Sequence, residues 1–200
     1  MQEGHAIRIV GGQAGGRRLV APKGLATRPT GERVREALFN MLGVEVESAT
    51  VLDLYAGSGA LALEALSRGA ASAWLIEPDY HARQAIKKNL AVLSPEMEVV
   101  VNAISAEQFM DHAIKMGQRF SLIFCDPPWK FGLDCKVIQT LSKITKPGGL
   151  VIVEHPASQE TVAIPGLVPQ RRRQWGDTAV SWYRLETPQI LSKEDLAREP

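Results

Sequence analysis

Apolar residues fall along this chain in short runs, separated by stretches with helical spacing. Five runs predict strands: Thr50–Tyr55, Ser72–Glu77, Met97–Val101, Phe120–Cys125 and Leu150–Glu154. Helical periodicity fills the intervals near 59–69, 79–93, 105–116 and 133–144. Near-continuous apolar strands alternating with helices predict a parallel sheet covered on both faces. Right-handed crossovers make such a sheet doubly wound, so the fold class is α/β.

The flanks break this rhythm. Ile7, Ile9 and Val10 predict a short strand, and Gly11, Gly12, Gly15 and Gly16 a flexible loop bearing Arg17 and Arg18. Pro29 and Thr30 open a helix over 30–42, with Thr30 as N-cap and Val34, Leu38, Met41 and Leu42 on one face. Near the other end, Leu167–Trp175 and Ala179–Glu186 flank Gly176-Asp177 as an antiparallel hairpin closing the sheet edge. Three zones result: a basic N-terminal extension (1–45), an α/β domain (46–186) and a polar, charged tail (187–200).

At 200 residues and 45% hydrophobic, the chain can fill the core of one such domain. Its net charge of +1 points to no partner, but the distribution is uneven. Residues 1–40 hold seven Lys or Arg against three Glu, a surplus of +4, which leaves −3 for the rest. A basic arm on a mildly acidic body fits either a polyanion contact or a solvated surface. Cys125 and Cys135 form no disulfide framework, and no Cys/His spacing matches a metal site. With no apolar signal core and no run of membrane-spanning length, a cytoplasmic location is expected.

The first chemical signal is Val51-Leu-Asp-Leu-Tyr-Ala-Gly-Ser-Gly-Ala60, a strand entering a glycine turn and then a helix. Gly57 and Gly59 permit a tight turn and close ligand approach, in front of the free N–H groups of a helix start. Ala62 stands where a dinucleotide fingerprint places its third glycine, a tolerated variant, so the loop alone leaves the cofactor open. Asp53 would repel a pyrophosphate and suits a cationic, amine-bearing ligand such as S-adenosylmethionine. Glu77 ends the second strand, where a carboxylate can accept both ribose hydroxyls of an adenosine. Asn102-Ala103 follows the third strand, and its amide can pair with an adenine edge. Tyr55 and Ala103 complete this cofactor set.

Asp126-Pro127-Pro128-Trp129, after the fourth strand, is the second signal. The prolines fix the backbone, so the Pro127 carbonyl is a rigid acceptor beside the Asp126 carboxylate. Two fixed acceptors can hold both hydrogens of an –NH2 group and aim its lone pair at an incoming methyl. Trp129 offers a face for stacking a base. The first and fourth strands flank the switch point of a doubly wound sheet, which brings the two signals together.

On these motifs the chain resembles class I S-adenosylmethionine-dependent methyltransferases. More narrowly, it looks like the bacterial family that methylates guanine N2 in small-subunit ribosomal RNA (the RsmD type). The match runs over about residues 7–186 and includes Ile9-Val-Gly-Gly12, Gly16-Arg17-Arg18-Leu19, Arg28-Pro-Thr30 and Arg33-Val-Arg-Glu-Ala-Leu-Phe-Asn40. The resemblance implies a Rossmann-like seven-stranded, mostly parallel sheet with an antiparallel last strand. It implies cofactor contacts at Asp53, Gly57, Gly59, Glu77 and Asn102, and the target amine at Asp126 and Pro127. It implies 16S ribosomal RNA in an assembled or partly assembled small subunit as partner, with no metal and no membrane. Trp129 stands where Phe or Tyr is more familiar; the larger ring keeps the stacking face and changes the pocket's shape.

Arg17, Arg18, Arg28, Arg33 and Arg35 then read as phosphate contacts, although some can pair with Glu32 and Glu36 on the helix surface. Arg171 and Arg173 alternate to one face of the hairpin, where charge resists strand pairing. Similar proline loops serve DNA adenine and protein glutamine methyltransferases. A nucleotide-dependent oxidoreductase and a non-catalytic RNA-binding assembly factor are the alternatives from other classes.

Overall fold

The structure, a computed structural model, describes residues 7–22, 31–94, 96–129, 132–133 and 135–187. Arg28 and Thr30, and the tail from 188 onward, lie outside the described residues. Five parallel strands form the body of the sheet: β3 (Thr50–Asp53), β4 (Ser72–Ile76), β5 (Glu98–Asn102), β6 (Phe120–Cys125) and β7 (Thr145–Pro156). The antiparallel hairpin β8 (Val168–Trp175) and β9 (Thr178–Arg184) completes seven strands in the order β5-β4-β3-β6-β7-β9-β8. The strand sequence reverses between β3 and β6, so these neighbours mark the switch point.

Period-two alternation sends the strands' side chains into two cores. Val51, Leu75, Leu122, Phe124, Ile152 and Trp182 face α1 (Glu32–Leu42), α2 (Ala60–Ser67) and α3 (Tyr80–Leu90). Leu52, Ile76, Ile123, Val151 and Tyr183 face α4 (Ala106–Met116) and α5 (Lys136–Gln139). Helix starts follow local chemistry. Asp79 caps α3 by accepting the Ala82 N–H, and Ser105 with Gln108 forms a reciprocal capping box on α4.

Three expectations change. Helix α1 starts at Glu32 behind Gly31, two residues later than 30, and its buried stripe is Arg35, Leu38, Phe39 and Leu42, with Val34 and Met41 only half-buried. The 133–144 helix is one short α-turn followed by a 3₁₀ turn, Leu141–Ile144. Between them the Thr140 hydroxyl donates to the Lys136 and Val137 carbonyls at 2.8 and 3.3 Å, which competes with helix continuation. Strand β7 begins at Thr145 because a register irregularity opposite Phe120–Leu122 carries Lys146-Pro147-Gly148-Gly149 within the strand.

The glycine-rich segment is not a free loop. β1 (Ile7–Arg8) pairs antiparallel with β2 (Arg18–Leu19), and the turn between them is seated on α2. Ala14 N–H donates to the Ser67 hydroxyl at 2.9 Å, which itself donates to the Gly11 carbonyl at 2.6 Å. A Cβ on Gly12 would stand 1.9 Å from the Ser67 carbonyl oxygen, so only glycine permits this seating. Ile7, Ile9, Ala14 and Leu19 share one core with α1, α2 and the sheet.

Candidate active site

Because β3 to β7 run parallel, their carboxyl ends open on one edge of the sheet, where ligands of such folds bind. The chain leaves β3 through Leu54, whose N–H donates to Phe124, and Ala56, whose N–H donates to Ile76, both at 3.1 Å. These bonds tie the glycine loop to both neighbouring strands. Gly59 is the N-cap of α2 at φ 80°, with no side-chain cap. A Cβ there would meet Leu63 at 2.6 Å, so Gly59 serves helix–sheet packing. Gly57, at φ 53°, faces open space.

The Glu77 carboxylate accepts the Gly57 and Asp79 N–H groups, each at 2.8 Å. It spans the mouth of the loop with each oxygen still able to accept a second donor. Asn102 ends β5 opposite Ile76, and the Glu77 N–H donates to its carbonyl at 3.1 Å. Its side-chain Nδ2 is buried with no partner, as is the Tyr55 hydroxyl. Such orphaned groups are rare in folded proteins, and a bound ligand would supply the missing bonds here. Ala103 is exposed just beyond. Two ribose hydroxyls at Glu77 and an adenine acceptor at Asn102 match this donor and acceptor set.

Asp53 is 2% exposed. Burial pushes its carboxyl up to about 7; the Tyr55 N–H pulls it down, the Glu77 charge pushes it up, and the Ala62 N–H pulls it down. Asp126 also lies well above the ordinary carboxylate range, through burial first and then the charges of Glu154 and Asp53. Carboxylates crowded in this way favour an arriving cation, which a sulfonium and an ammonium both provide.

Asp126 directly follows β6 and is half-buried, Pro127 is buried, and Pro128 is exposed. Trp129 is 40% exposed, so part of its ring faces solvent. Pro127, Pro128 and Trp129, together with Glu154, border a shallow depression at the sheet edge. The register Asp53↔Phe124 brings Asp126 close to the end of β3, where the Asp53 charge reaches it.

The basic block divides. Arg17, Arg18 and Arg33 are exposed, whereas Arg35 is only 1% exposed. Arg35 leaves the group of phosphate-contacting candidates: its guanidinium donates to the Arg8 carbonyl and lies 3.6 Å from Glu64, which is fully buried. Glu32 is taken by Arg8 at 2.9 Å. On the edge strand, Arg171 and Arg173 are exposed, and Arg172 turns inward to the Ala157 carbonyl at 2.8 Å.

Sequence reasoning passed over Glu64, Ser67 and Asn89. Glu64 accepts Val10 and Gly11 N–H groups at 2.6 and 2.8 Å and Arg68 at 2.7 Å. Asn89 accepts the Val20 N–H at 2.7 Å and donates to the carbonyls of Val20 and Ser58 at 3.0 and 2.9 Å. It thereby ties the N-terminal segment to the glycine loop. The available signal was a lone carboxylate inside Ala-Leu-Ala-Leu-Glu-Ala-Leu, the apolar stretch 60–66.

Among the described residues, no group of three or more His, Cys, Asp or Glu is placed to hold a metal ion. No helix there is long and apolar enough to cross a membrane.

A doubly wound sheet of this order, with a glycine loop and several carboxylates gathered at its carboxyl edge, is the fold of class I S-adenosylmethionine-dependent methyltransferases. The chain belongs to the family described as conserved hypothetical protein 95, whose model matches residues 7–184. YlbH of Bacillus subtilis is 36% identical over 182 residues, covering 89% of this chain and 98% of that one. The ribosomal RNA small subunit methyltransferase D of Escherichia coli K12 is 47% identical over 127 residues, 64% of this chain and 62% of the other. The solved structure of YhhF from Escherichia coli superposes with a TM-score of 0.79 at 38% identity, covering 90% of this chain and 98% of that one.

Proposed function

We propose that this protein transfers the methyl group of S-adenosylmethionine to the exocyclic N2 of one guanine in small-subunit (16S) ribosomal RNA. Its substrate is an assembled or partly assembled small subunit in the cytoplasm, and no metal takes part. The observation that supports the reading is the closeness of Asp126 to Asp53 at the switch point, with Pro127 and the part-exposed Trp129 bordering one depression just beyond. A relative of 47% identity named for small-subunit ribosomal RNA supports the polymer.

When bound, S-adenosylmethionine supplies a methyl already activated on a sulfonium. The protein's own work is positioning, which contributes up to about 7–11 kcal/mol in well-oriented reactions. Asp126 and the Pro127 carbonyl accept the two amine hydrogens and hold the nitrogen lone pair outward. The same acceptors favour positive charge as it grows on that nitrogen. The raised affinity of Asp126 for a proton suits it to receive the one that the methylated amine releases. Residues 7–22 and α1, carrying exposed Arg17, Arg18 and Arg33, serve as the RNA-contacting extension. Residues from 46 to 186 carry the chemistry.

Unmodified small subunits incubated with radiolabelled S-adenosylmethionine test this directly, with the labelled nucleotide mapped by mass spectrometry. Label on guanine N2 is the expected result. Label on adenine or on protein, or transfer to duplex DNA or a release factor instead, would overturn it.

A further inference from the structure

The acceptor pair explains how an amine is gripped; it does not explain why the amine would be guanine's, since adenine and cytosine carry one too. The next strand supplies a candidate for that choice. Cys125 pairs with Val153 across β6 and β7, so Asp126 and Glu154 occupy the next opposed positions at the sheet edge. Ile152 faces the core it shares with Phe124, and two residues further along β7 the alternation brings Glu154 to that side, near enough for its charge to act on Asp126 just past the end of β6. Glu154 is half-buried and borders the depression shared with Pro127 and Trp129.

Resting on the guanine reading above, we infer that Glu154 determines base choice by accepting the ring N1–H next to the target amine. Guanine alone among the four RNA bases has its exocyclic amine beside a ring N–H. Adenine and cytosine present a ring lone pair at that position. A base stacked on Trp129 with its amine at Asp126 and Pro127 turns this neighbouring ring position toward β7. Guanine then meets an acceptor with a donor. Adenine or cytosine would set a lone pair against a carboxylate and leave both desolvated acceptors unpaired, which is how a site rejects a near-isostere. The proximity is also felt electrostatically, since the Glu154 charge raises the Asp126 carboxyl. Two donors from one base edge would relieve that repulsion.

The test uses small subunits reconstituted with 2-aminopurine at the target nucleotide, which keeps the N2 amine and replaces N1–H by a lone pair. The full-length protein is expected to methylate guanine at least about 100-fold faster in kcat/KM than 2-aminopurine. Glu154→Gln keeps an acceptor and adds a donor for the lone pair. Its guanine to 2-aminopurine ratio is expected to shrink at least about tenfold, with S-adenosylmethionine affinity unchanged. Because 2-aminopurine also lacks the 6-oxygen for both proteins, the change in the ratio isolates Glu154. Comparable wild-type rates on the two bases would overturn the inference without any variant. A Glu154→Gln ratio equal to the wild type's would overturn it while guanine methylation itself stands. Absence of wild-type transfer to guanine would overturn the underlying reading as well.

Discussion

Two carboxylate centres lie on either side of one glycine loop and behave in opposite ways. Glu64, fully buried in α2, is saturated: two backbone N–H groups and Arg68 donate to it within 2.8 Å, and Arg35 stands behind. The rim carboxylates Asp53 and Asp126 are pushed up by burial first and then by the like charges beside them. The difference teaches where a buried charge works. Complemented from within, it fastens one part of the chain to another. Left for a ligand to complement, it becomes affinity and reactivity.

The sharpest way to break the comparison is to remove the saturated member. Glu64→Ala leaves Arg35 buried without its counter-charge and is expected to destabilise the protein by about 3–5 kcal/mol, read from urea unfolding. Adding Arg35→Met should recover part of that loss. Asp126→Ala addresses the other centre and is expected to lower kcat by about 10²–10³-fold, with the unfolding midpoint near that of the wild type.

Asn89→Ala falls between the two, because its amide joins the N-terminal segment to the glycine loop. Leaving those backbone groups unpaired should cost about 1–3 kcal/mol of stability and weaken cofactor binding, which calorimetry measures together. A pH titration sharpens the rim's side. Folding holds the Asp53 proton up to about pH 7, whereas an unfolded aspartate releases it near ~4. The cofactor-free fold therefore loses stability as pH rises through that window. S-adenosylmethionine affinity is expected to rise over the same range, about tenfold between pH 6 and 8, and a flat profile would count against the rim's role. The smallest effect is at the surface: Arg17→Ala should lower the salt slope of RNA binding by about 1 and leave cofactor affinity alone.

The parallel core was legible because β3, β4 and β6 are buried on both faces and helical turns fill each crossover. The places of Asp53, Glu77 and Asn102 at the carboxyl edge were legible for a related reason, since each ends or directly follows a parallel strand. What escaped was contact across long sequence separations. Arg35 read as one more surface arginine because its partner, Glu64, lies 29 residues onward in an apolar helix. Gly11 and Gly12 read as flexibility because the α2 surface that fixes them leaves no periodic trace. The strand expected over Leu150–Glu154 starts earlier, at Thr145, and only pairing with β6 reveals the irregularity that keeps Lys146-Pro147-Gly148-Gly149 in the sheet.

The anchors of the N-terminal hairpin bear on how the molecule is made. Its partners are Glu64, Ser67 and Asn89, the last 69 residues beyond Val20. At translation speeds of about 5–20 residues per second, those first residues emerge roughly 3–14 s before the amide that receives them. Throughout that interval the segment lacks its full native docking surface, so it settles only after residues translated well behind it.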